Sequence, residues 1–101
     1  MLRNKTAELL YSQMVIADER EVAGLSAVIF NAIQKYKTHN QILGLAAIFI
    51  LMLEHYDLNY SEALGIAHSI VHGTTTEKAT KQFAAIKQFM RDEWAIRFKG
   101  R

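Results

Sequence analysis

The chain has 101 residues, half of them apolar and 22% charged, with no cysteine and no proline. That composition suits one folded domain, 1–101, and excludes a disordered chain. Without cysteine there are no disulfides, thiolate nucleophiles or cysteine-ligated metal centres. The formal net charge is +2, spread unevenly: residues 1–76 hold five basic and seven acidic groups, residues 77–101 seven basic and three acidic. The basic end points to an acidic partner.

Five helices are expected, the first two close to running together. The first covers residues 4–16, with Asn4 or Thr6 as cap and Ala7, Leu10, Met14 and Ala17 at three- and four-residue spacing. The second opens at Asp18, with Glu21 three residues on in the pattern of a capping box. Its stripe is Val22, Leu25, Ile29, Ile33 and Tyr36, widened by Ala23, Ala27 and Phe30. Lys35 and Lys37 fall in its last turn, where cations meet the negative end of the dipole.

The third helix, residues 41–56 behind Asn40 as cap, has no polar face between Ile42 and Leu53. A water-soluble helix that is apolar all round has to be covered all round. It is therefore expected at the centre of a compact bundle, its cover supplied by the other helices or by a second copy. At 12 residues the Ile42–Leu53 run is too short to span a bilayer, which takes about 20. The N-terminus also lacks the apolar core of a signal peptide. A cytoplasmic protein is expected.

The fourth helix is expected over 61–73, capped by Ser61 and stopped at a left-handed Gly73. The fifth follows Thr75 or Thr76 and runs over 77–98 with the stripe Ala79, Phe83, Ile86, Met90, Trp94 and Phe98. No segment alternates as a strand would. The fold class read from the chain is all-α, about five helices around a fully apolar central one.

Chemistry is sparse. His68 and His72, four apart, share one helix face at a spacing suited to two metal ligands, with His55, Asp57 or Glu62 near enough for a third. The glutamate of a zinc-hydrolase motif is missing beside the first histidine, and two surface histidines are the simpler reading, so no metal and no cofactor is assigned. Glu54, where the apolar run ends, is better explained as a helix-end carboxylate than as an acid–base group. The serines lack a nucleophile elbow, and the isolated glycines form no phosphate loop. No catalytic residue is assigned, and the chain is not expected to be an enzyme.

Residues 51–71 trace two helices joined by a short turn, but the second holds no Lys or Arg to meet base edges. Partner binding is instead placed at the basic, aromatic C-terminus: Lys87, Arg91, Trp94, Arg97, Phe98, Lys99 and Arg101. In size and simplicity the chain is similar to small helical accessory proteins of phages and mobile elements, many of which bind a host protein. That resemblance rests on no particular residues. The expected function is a non-catalytic interaction module that forms homo-oligomers and occupies a partner protein's surface. The alternative is a regulator that holds nucleic acid on its basic tail.

Overall fold

The computed structural model describes residues 5–94, and for Trp94 the backbone alone. The order is α1 (Lys5–Val15), α2 (Glu19–Ala32), α3 (Thr38–His55), α4 (Tyr60–His72) and α5 (Glu77–Phe89), closed by a π-helical turn at Met90–Trp94. The fold is all-α, as the sequence predicts, with no strand among the described residues. The first two helices are separate.

The main core joins α2 to α5. Ala23 and Ala79 are fully buried there, and side chains that small let two helix backbones approach closely. Phe83 fills the space beside them, with Val22, Ile70 and Val71 packed around it. Phe30 adds an edge-to-face contact with Phe89, ring centres 5.5 Å apart. On α2 it is thus the line of Ala23 and Phe30 that goes inside, while Leu25, Ile29 and Tyr36 of the predicted main stripe stay exposed. A smaller packing sets α1 on α4, where Ala7, Tyr11 and Ala63 are buried. The Asn59 amide donates to the Tyr11 hydroxyl oxygen and fixes the start of α4.

The connections are built by specific polar contacts. Asp18 caps α2 by accepting from the Arg20 amide at 2.9 Å and pairing with its guanidinium at 3.1 Å. These bonds to Arg20 hold the Asp18 carboxyl below its usual pKa. Glu19 reaches across to the α4–α5 link and accepts from the Thr75 amide at 2.9 Å and from both the Thr75 and Thr76 hydroxyls. The Thr75 amide is the main reason that its carboxyl also sits below the ordinary range. With its hydroxyl so engaged, Thr76 precedes α5 without giving it a side-chain cap.

Asn59, not Ser61, caps α4, its Oδ1 accepting from the Glu62 amide at 3.0 Å. Helix α3 starts at Thr38, before the predicted Asn40 cap. It ends on Asp57 at φ 57°, with Leu58 N donating to Leu53 O and Asp57 N to Glu54 O. Those two bonds make a Schellman stop with an aspartate where glycine is usual. Gly73 is not left-handed, with φ −114°; a Cβ there would lie 2.7 Å from Ser69 O. Close approach, not handedness, demands the glycine.

Helix α3 is not the covered centre that its composition predicts. Of its residues only Gln41 and Leu53 are buried, while Leu43 is 65% exposed and Leu51 61%. The physical reason is that α2 and α5 pair directly through their alanines and leave α3 on the flank. The shape follows: 50 × 30 × 19 Å with a radius of gyration of 15.4 Å, where about 13 Å is usual for this length.

Candidate protein-interaction surface

Successive side chains on a helix turn by about 100°, which divides α3 into two apolar faces. One, with Gln41, Ile42, Leu45, Phe49 and Leu53, carries the two buried side chains of the helix, Gln41 and Leu53, while Ile42 and Leu45 on it stay exposed. Gln41 is held there because its Nε2 donates to Ile33 O at 2.6 Å, at the carbonyl end of α2. Its Oε1 is buried without a hydrogen-bond partner. Ile42 and Leu45 form one wall of a cleft of about 490 Å³, whose other walls are Ile29 and Phe30 of α2 and Phe83 and Ile86 of α5.

The second face comprises Leu43, Gly44, Ala47, Ile50 and Leu51, all exposed. A Cβ built on Gly44 would meet nothing within 4 Å. The same holds for Gly24 and Gly65, so the helical glycines are not there for close packing within the chain. Asn40 and Glu54 close this face at its two ends. Glu54 accepts from the Tyr60 hydroxyl at 2.8 Å, and that bond pushes the Tyr60 pKa up. The carboxylate is exposed and is a helix-end group, not one driven into an apolar pocket.

The bare surface is large. The chain exposes 7719 Å², whereas a monomeric globular protein of its mass exposes about 5,800 Å². The excess of about 1,900 Å² compares with the about 1,000–2,500 Å² that each subunit of an obligate homodimer covers. That excess is a total for the whole chain, and exposed large apolar side chains occur on every helix, most densely on α3.

The predicted partner-binding residues are only partly described. Lys87 stands at the rim of the α2–α3–α5 cleft. Arg91 lies in the π turn and reaches Gln88 Oε1 at 3.5 Å, while Gln88 Nε2 donates to Asp92 at 2.8 Å. Both basic residues are exposed. The side chain of Trp94, and Arg97, Phe98, Lys99 and Arg101, lie outside the described residues. His68 and His72 do share one face, ring centres 4.4 Å apart, and both are exposed. No group of three or more His, Asp or Glu side chains able to hold a metal ion occurs among the described residues.

Periodicity read from the sequence singled out α3 as the anomaly and left its cover open between the other helices and a second copy; the other helices cover little of it. The signal for an exposed face was present in Asn40, Gly44, Ala47 and Glu54, small or polar residues along one line of an otherwise apolar helix. No helix of the described residues is long and apolar enough to cross a membrane. No family model, curated protein or solved structure matches this chain, so its function is argued from these residues alone.

Proposed function

We propose that this chain is a non-catalytic helical interaction protein whose first partner is a second copy of itself, bound on α3. The observation that carries the reading is the exposed apolar face of α3, from Leu43 to Leu51. Water-exposed leucine and isoleucine on a continuous line gain about 25 cal/mol for each Å² of apolar surface that a partner covers. Exposed large apolar side chains are densest on α3, and a second copy brings an identical apolar helix to cover them.

Sedimentation velocity over a wide concentration range tests the reading. The unaltered protein is expected to sediment as a dimer or higher oligomer at micromolar concentration. Replacing both Leu43 and Leu51 by Glu is expected to give a monomer that keeps its helical circular dichroism, since neither side chain is buried. An unaltered chain that sediments as a monomer at all concentrations overturns the proposal. So does an oligomer that survives the double substitution.

A further inference from the structure

The exposed face of α3 is self-complementary in one arrangement. We infer that two copies pair antiparallel along α3 about a two-fold axis passing beside Ala47. This rests on the self-association proposed above and adds its geometry.

At about 100° per residue, the exposed face is centred on Ala47, with Leu43 and Leu51 one turn to either side. Leu51 lies to one side of the centre line with Gly44, and Leu43 lies to the other with Ile50. A two-fold axis perpendicular to the helices keeps each side with its own kind and reverses the order along the seam. Leu51 of each copy then lands beside Gly44 of the other, and Leu43 lands against Ile50. The open space over Gly44, where a Cβ would meet nothing within 4 Å, becomes the hole that the leucine fills. Ala47, the smallest side chain near the centre line apart from the glycine, faces its own counterpart at the closest approach.

The parallel alternative is disfavoured on two grounds. It would set each large side chain at the level of its own copy and leave Gly44 level with Gly44, with no knob for the hole. It would also place two aligned helix dipoles side by side, whereas the antiparallel pair opposes them. The pairing is isologous, as a two-fold interface requires. It leaves the side of α3 with the buried Gln41 and Leu53 toward its own chain.

The absence of cysteine makes the test clean, because any disulfide reports an introduced pair. Three single variants are made, Ala47→Cys, Gly44→Cys and Leu51→Cys, and each is oxidised with copper phenanthroline. Disulfides need Cβ atoms about 3.8 Å apart. Ala47→Cys is expected to cross-link to itself. Leu51→Cys alone is expected to remain uncross-linked, but to form mixed dimers when combined with Gly44→Cys. Sedimentation of the reduced samples runs in parallel. A chain that sediments as a dimer while Leu51→Cys links to itself and forms no mixed dimer with Gly44→Cys overturns the antiparallel register and leaves self-association standing, since Ala47→Cys links to itself in either direction of pairing. An unaltered chain that is monomeric overturns both. If a cysteine variant loses its helical dichroism, a nitroxide distance measurement at Lys37→Cys, at the exposed N-terminal end of α3, decides instead. Antiparallel pairing places the two labels at opposite ends of the seam, and a short label distance rejects it.

Discussion

Helices α3 and α5 reverse the usual relation between apolar content and burial. Helix α5 carries three lysines, two glutamines and a glutamate in thirteen residues, yet it buries Ala79 and Phe83 and makes the main core with α2. Helix α3 has no polar side chain over the twelve residues from Ile42 to Leu53, yet the helix buries only Gln41 and Leu53. Burial within the chain follows from which surfaces fit each other, and two alanines facing across α2 and α5 fit better than a broad leucine face. Apolar content instead measures how much covering a segment needs, from whatever source.

The sharpest way to break this comparison is to truncate one side chain in each helix. Phe83→Ala is expected to cost about 3–5 kcal/mol in urea unfolding, as loss of a buried aromatic ring does. Leu43→Ala, measured where the chain is dilute enough to be monomeric, is expected to stay within about 0.5 kcal/mol of the unaltered protein. Equal costs at the two positions would mean that α3 is covered within its own chain after all.

The clamp between α2 and α5 is also held at its end by Glu19, and this contribution depends on pH. The folded carboxyl is held below its ordinary value by the Thr75 amide and the two threonine hydroxyls. Its stabilisation is therefore fully present above the unfolded glutamate pKa of about 4.3 and is lost as pH falls through the lower folded value. Asp18 acts in the same direction, so Glu19→Gln is expected to flatten the acid limb of a melting-temperature profile without removing it. An unchanged acid limb would take Glu19 out of the clamp.

The smallest effect sharpens the comparison from the α4 side. Gly65 lies in α4 with open space where a side chain would go. Gly65→Ala is expected to add about 0.5–1 kcal/mol through helix propensity alone. A loss on thermal melting would reveal that α4 has a close neighbour outside its own chain, as is proposed for α3.

Much of the helical framework was legible from spacing and caps. The break at Asp18, the turn before α4 and the start of α5 all fall near places marked by Asp, Asn or Thr. What spacing could not decide was which line of a helix goes inside. On α2 the bulkier line of Leu25 and Ile29 looked like the core stripe, but the alanine line won because it allows a closer approach of backbones. The Glu19 staple was out of reach for a different reason. Its partners are more than fifty residues away in the chain, and a glutamate in a helix's first turn already has a sufficient local role with the dipole. Of the predicted interaction residues, Lys87 and Arg91 are exposed beside the part-exposed Phe89 and Met90, while the densest set of exposed apolar side chains lies on α3.

The pairing of α2 with α5 also has a consequence for how the protein is made. A ribosome delivers α2, then α3 and α4, and only then the helix that completes the main core. Until α5 emerges, the alanine line of α2 has no counterpart, and the leucines of α3 are already in water. Newly made chain thus passes through a stage rich in sticky surface, the kind of stage at which nascent proteins engage chaperones or one another. Neighbouring ribosomes on one message hold such chains at high local concentration. If α3 meets its own copy as proposed, it is as well placed to find it during translation as after release.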